Sequence, residues 1–174
     1  MLFTPTKSTL RAFQPEDAQS IARHLASYNV ACNLLVPFPY TLQHAETWIA
    51  KCIAESSGTR FAIVIDGEAV GGIGVERLGG INPEVLGHTA ELGYWLAERY
   101  WGRGIISEVV AAVSDYAFAQ LGMVRLQAAV FARNPASVRV LSKCGYEYEG
   151  RLRARYFRDG QYIDGLLYAK VKLP

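Results

Sequence analysis

The sequence predicts one mixed α/β domain over residues 1–174, in the order β-α-α-β-β-β-α-β-α-β-β, on three observations. With 174 residues, 51% of them hydrophobic, the chain is long enough for one core and short for two. Apolar residues recur at helical spacing in three segments, cap signals mark a fourth, and turn dipeptides separate β-rich runs elsewhere. Between residues 88 and 131, a strand, a glycine-containing turn, a long helix and a second strand follow one another as in a parallel crossover.

Leu10 to Phe13 is a short strand candidate, and Pro15, Glu16 and Asp17 then open a helix that Ala18, Ile21, Ala22 and Leu25 continue. Two prolines in LLVPFPYT interrupt it. Leu42, Ala45, Trp48, Ile49, Cys52 and Ile53 mark a second amphipathic helix, ending at the loop Ser56, Ser57, Gly58. RFAIVID and AVGGIGVERL are strands joined at Asp66-Gly67, a dipeptide that favours a tight hairpin, and a loop with Gly79, Gly80 and Pro83 follows. HTAELGYWLA, residues 88–97, is the next strand. Ile106, Val109, Val110, Val113, Tyr116 and Ala117 give one face of a long helix closed by Gly122, and VRLQAAVF is a strand. Asn134 caps a helix begun by Pro135 and ended by Gly145. Two strands, about 146–157 and 161–172, then turn at Asp159-Gly160. The tail aromatics Tyr146, Tyr148, Tyr156, Phe157, Tyr162 and Tyr168 alternate with charged residues as an exposed sheet face does.

Composition excludes several classes of function. The net charge is +2 with 18 basic and 16 acidic residues interspersed, so no polyelectrolyte surface for nucleic acid or membrane is indicated. No apolar run approaches a membrane span and MLFTPTKSTL is not a signal sequence, which leads us to expect a cytoplasmic protein. Cys32, Cys52 and Cys144 are odd in number and scattered, and His24, His44 and His88 lack ligand spacing, so neither a disulfide framework nor a metal site is expected. Cys144 has no histidine beside it in sequence, which argues against an acyl-cysteine scheme.

ERYWGRGIISEVV, residues 98–110, carries Arg99, Gly102 and Gly104 as R-x-x-G-x-G at the turn into the long helix. Free N–H groups and the positive dipole end of that helix suit an anion, and glycine lets a phosphate approach the backbone. A tight strand-to-helix turn accounts for the same two glycines. A dinucleotide fingerprint fails because Ser107 stands where the third glycine belongs, and a P-loop fails because no G-K-[ST] follows.

Residues 134–150, NPASVRVLSKCGYEYEG, form a second constellation. The succession AELGYWL, R-x-x-G-x-G, helix, strand, then N-x-x-S with L-x-K-x-G-Y and E-G resembles the GCN5-related N-acetyltransferases, or GNAT enzymes. Within them it is most similar to the RimJ/RimL-type ribosomal-protein N-terminal acetyltransferases, and LRAFQPEDAQSI and PFPYTLQHAETWI extend the likeness over most of the chain.

The resemblance implies a GNAT-like mixed central sheet whose central parallel strands splay apart to admit acetyl-CoA. Its pyrophosphate would lie on Tyr100, Trp101, Gly102, Arg103 and Gly104 with the helix start Ile105 and Ile106. Its pantetheine arm would pair with the backbone near Trp95, Leu96 and Ala97. Asn134 would bond the cofactor arm, or be a plain N-cap, or serve as both in turn. Glu91, a carboxylate in an otherwise apolar strand, matches the family's general base; a solvated outer-face residue or an ion-pair partner would look the same. The family's usual tyrosine acid falls at Leu141, so Ser137 becomes the proton donor candidate, unless it only supports the cap. Tyr156 stands where some relatives carry a glutamate, as an acceptor contact or as packing. The expected reaction is direct attack of a primary amine on acetyl-CoA in a ternary complex. A protein or peptide N-terminal α-amine is the first acceptor to consider, because its pKa near about 8 makes it easier to deprotonate than a lysine amine. The alternatives are a small amine, such as an amino acid, polyamine or antibiotic, and a CoA-binding module without turnover. A homodimer is compatible with the resemblance.

Overall fold

The computed structural model describes residues 6–55, 59–78 and 82–173. The expected loops at Ser56–Gly58 and Gly79–Gly80 lie outside them. Seven strands form a sheet of order β1-β2-β3-β4-β5-β7-β6. They are β1 (Thr9–Arg11), β2 (Arg60–Ile65), β3 (Glu68–Arg77), β4 (Thr89–Leu96), β5 (Arg125–Phe131), β6 (Glu147–Arg158) and β7 (Gln161–Val171). The helices are α1 (Ala18–Leu25), α2 (Tyr28–Ala31), α3 (Leu42–Ala54), α4 (Pro83–Leu86), α5 (Ile105–Gln120) and α6 (Pro135–Lys143). The chain forms two compact units, Met1–Gly74 with Tyr94–Val109, and Val75–Gly93 with Val110–Pro174.

In the first unit, Pro15–Asp17 is a 3₁₀ turn that precedes α1, and Arg11 fixes it through two 2.7 Å bonds to the buried Asp17 carboxylate. The core gathers Phe13, Ile21, Leu25, Val30, Tyr40, Ala45 and Ile49, with the ring of Phe13 edge-on to Trp48. Thr41 caps α3 by accepting from the His44 amide. The β2–β3 hairpin turns at Asp66 and Gly67, both at positive φ, as the dipeptide predicts. Gly71 allows a close crossing, since a Cβ there would stand 2.6 Å from the Trp95 carbonyl.

In the second unit, β5 pairs antiparallel with β7 and β7 with β6, the latter two turning at Asp159 and Gly160, again at positive φ. Leu126, Val113, Leu141, Tyr146, Tyr168 and Ile163 are buried. The buried Ser114 hydroxyl donates to the Val110 carbonyl and lies 2.8 Å from Tyr146 Oη. Burial is the main cause that pushes the Tyr146 phenol up to about 12. The tail aromatics do not form one exposed face: Tyr146 and Tyr168 turn into the core, while Tyr148, Phe157 and Tyr162 are exposed.

The predicted elements are all present, with β1 shifted to Thr9–Arg11. Two four-residue helices, α2 and α4, are additional. Four residues make barely one turn, too few to display a 3.6-residue period.

Candidate active site

β4 hands over to α5 through a 3₁₀ turn at Glu98–Tyr100 and the two glycines. Adjacent residues of opposite charge hold that turn. Glu98 accepts from Ser27 Oγ at 2.9 Å and Asn29 Nδ2 at 2.8 Å. Arg99 Nη2 donates to Glu68 Oε2 at 2.6 Å, and the other Glu68 oxygen meets Arg23 Nη2 at 2.6 Å and His24 Nε2 at 2.7 Å. Arg99 and Arg103 also stand over the Tyr100 ring. Gly102 and Gly104 have φ of +75° and +78°, a region that side chains other than glycine enter only with strain. Ile105 starts α5 and is buried, while Trp101 is exposed on one side and donates its indole N–H to the Leu96 carbonyl.

The Glu108 amide makes the first bond of the helix, to the Gly104 carbonyl at 3.2 Å, and the dipole end before it is positive. Lys7 adds a charge there. Its Nζ donates to the Arg103 carbonyl at 3.1 Å, lies 3.4 Å from Glu108 Oε1, and would be 3.4 Å from a Cβ on Gly104. Along β4, the Trp95 carbonyl and the Ala97 amide both turn toward β3, so Leu96 between them faces the opposite way.

Burial by itself raises the Glu68 pKa, but the bonds from Arg23, His24 and Arg99 together outweigh it and hold the carboxyl at about 2, below its ordinary 4.5. A carboxylate depressed in the folded state stabilises fully above its unfolded pKa, and the contribution is lost as pH falls through the folded one. The stability advantage of the wild type over Glu68→Gln is therefore expected at neutral pH and should shrink between pH 4.5 and about 2, as followed by thermal melts.

In the second unit, Glu91 is half-buried in β4 and is the last residue at which β4 pairs with β5. The parallel register runs Thr89 with Arg125, Ala90 with Leu126 and Glu91 with Gln127, while β4 continues to Leu96 and β5 to Phe131. Tyr156 donates its hydroxyl to the Ala129 carbonyl at 3.1 Å and packs its ring 4.2 Å from Phe131. Burial raises the Tyr156 pKa, Arg155 opposes that, and the charge of Glu91 adds to it, which puts Arg155 and Glu91 each within electrostatic reach of Tyr156. Asn134 Oδ1 accepts from the Ser137 amide at 3.1 Å, so the N-cap exists, and it uses only the carbonyl oxygen of a side chain that also carries an NH₂. Cys144 is buried and burial pushes its thiol up, away from the thiolate that an acyl-cysteine scheme needs.

Lys7, the Glu68 cluster and the clasp on Glu98 escape sequence reasoning. Their hydrogen-bond partners lie from 31 to 96 residues away, and no motif or period marks them. The Asp66-Gly67 turn is the one local signal near Glu68.

A family model described as an acetyltransferase (GNAT) domain matches residues 7–147. The chain belongs to the GNAT acetyltransferase family. It is 41% identical over 83 residues to the uncharacterised N-acetyltransferase YoaA of Bacillus subtilis, a match spanning 48% of this chain and 47% of YoaA. It is 36% identical over 113 residues to the ribosomal-protein-serine acetyltransferase of Escherichia coli, covering 64% of this chain and 59% of that protein. The chain thus spans about half the length of YoaA and about three fifths of the E. coli enzyme. Among solved structures, Mycobacterium smegmatis RimJ in complex with CoA-disulfide is similar at a TM-score of 0.77 and 28% identity, over 93% of this chain and 80% of that one. The seven-stranded mixed sheet is that of a GNAT N-acetyltransferase.

Proposed function

We propose that this GNAT enzyme works as one domain that transfers acetyl from acetyl-CoA to a protein or peptide N-terminal α-amine. The observation that carries the reading is the pair of left-handed glycines, Gly102 and Gly104, immediately before the 16-residue helix α5. The donor set there fits a pyrophosphate: the positive end of a long helix, no Cβ at two positions, and the cations Lys7 and Arg103 nearby. The names of the E. coli relative and of the CoA-bound RimJ support the acceptor class and the donor.

When bound, acetyl-CoA supplies an activated acyl group. The residues of this chain do the rest. Gly102, Arg103, Gly104, Ile105 and Ile106 bind the pyrophosphate through backbone amides, and Tyr100 and Trp101 shape the turn. Leu96, between Trp95 and Ala97, offers the strand backbone to the pantetheine arm, and the Asn134 NH₂ bonds the same arm. Glu91 takes a proton from the attacking amine, directly or through water, as the N–C bond forms and the C–S bond breaks. Ser137 passes a proton to the departing sulfur and regains one from solvent, to which Glu91 releases the proton it took, so that the acetylated amine and free thiol leave. Tyr156, its hydrogen already committed to Ala129, borders the acceptor as an oriented ring.

Thiol release measured with acetyl-CoA and a panel of peptides and small amines tests the reading. Acetylated peptide α-amine is expected, with Ser137→Ala slowed by about tenfold or more. CoA binding with no acceptor-dependent release would favour a module without turnover, and faster turnover of a small amine would move the acceptor class.

A further inference from the structure

Arg99 is the first residue of R-x-x-G-x-G, and its position before the glycines invites the assumption that its charge meets the phosphates. Its guanidinium is engaged elsewhere. Nη2 is 2.6 Å from Glu68 Oε2, and the group lies over the Tyr100 ring. Glu68 in turn is the first residue of β3, held from α1 by Arg23 and by His24, whose side chain is 9% exposed. The neighbouring Glu98 is held by Ser27 and Asn29, just beyond α1. Two successive residues of the 3₁₀ turn are therefore pinned by charge-assisted bonds to α1, the segment after it and the β2–β3 hairpin. The chain that leaves this turn has only Trp101 before Gly102. Backbone amides grip an anion only if the turn that carries them is already in place, because ordering it on binding would cost conformational entropy.

We infer that Glu68 is a positioning residue for the cofactor: by holding Arg99 it fixes the turn that leads into Gly102 and Gly104, and Arg99 acts as a tether and not as a phosphate ligand. The inference rests on the acetyl-CoA reading above. It has an unusual consequence, because two opposite charges then contribute to anion binding in the same direction. Removing the negative charge of Glu68 from a phosphate site ought to help binding by simple electrostatics; if Glu68 is a positioner, it harms it.

The test compares wild type, Glu68→Gln, Arg99→Ala and the double variant. CoA binding is measured by calorimetry, steady-state kinetics with acetyl-CoA and a peptide acceptor are recorded, and thermal melts report folding. Each single change is expected to weaken CoA binding and raise the KM for acetyl-CoA by about five- to tenfold, with kcat and the acceptor KM little changed. The double variant should be no weaker than either single one, since both break the same link. Unchanged or tighter CoA binding by Glu68→Gln alongside weaker binding by Arg99→Ala would overturn the inference and make Arg99 a phosphate ligand. A lowered melting temperature with unaltered CoA affinity in both variants would also overturn it, leaving Glu68 a purely structural residue. Failure of the wild type itself to bind CoA would instead strike the acetyl-CoA reading, so the two failures are distinguishable.

Discussion

Glu91→Gln should lower kcat by about 10² to 10³-fold while leaving CoA affinity within about twofold, the signature of a lost general base and not of a lost binding group. The change keeps the shape of the side chain and removes its capacity to take a proton. Glu91 stands where the β4–β5 pairing ends, within electrostatic reach of Tyr156, in a strand whose neighbours Ala90 and Leu92 are buried. The defect should narrow as pH rises past about 8, because an acceptor α-amine then loses its proton without assistance. Steady-state rates of both proteins across that range supply the check. Equal kcat values would make Glu91 an ordinary half-exposed strand residue.

Gly102→Val is expected to weaken CoA binding by at least about tenfold, because a β-branched residue resists the left-handed conformation and its Cβ would crowd an anion on the backbone. At φ of +75° the strain should also lower stability by about 1–3 kcal/mol. Beyond its two chain neighbours, no atom of the described residues lies within 4 Å of the added Cβ, so a contact clash does not confuse the result. The two readouts separate the two meanings of the glycine. Calorimetry and chemical denaturation on the same variant would show both losses if Gly102 serves a ligand, and only the stability loss if it serves a tight turn.

Much of the architecture was legible because the information is local. Asp66-Gly67 and Asp159-Gly160 announce their hairpins through positive φ, Asn134-Pro135 announces α6, and the spacing of Val109, Val113 and Ala117 announces α5. The family followed from the order of several motifs, each weak by itself. Arg99 was legible as a member of its motif but not in its role, which depends on Glu68, 31 residues earlier in the chain. Lys7 was equally invisible, since its partners at Arg103 and Glu108 are brought to it only by folding. The split of the tail aromatics into buried Tyr146 and Tyr168 and exposed Phe157 and Tyr162 depends on what packs against β6 and β7, which alternation in one strand does not specify.

A crystal structure of the protein with CoA bound tests the cofactor site and the reacting residues together. The pyrophosphate is expected on the backbone amides from Gly102 to Ile106, with Arg99 still bonded to Glu68 and the sulfur facing the side chains of Glu91 and Ser137. A CoA whose pyrophosphate lies away from the Gly102–Gly104 turn, or whose sulfur faces neither Glu91 nor Ser137, would contradict that placement.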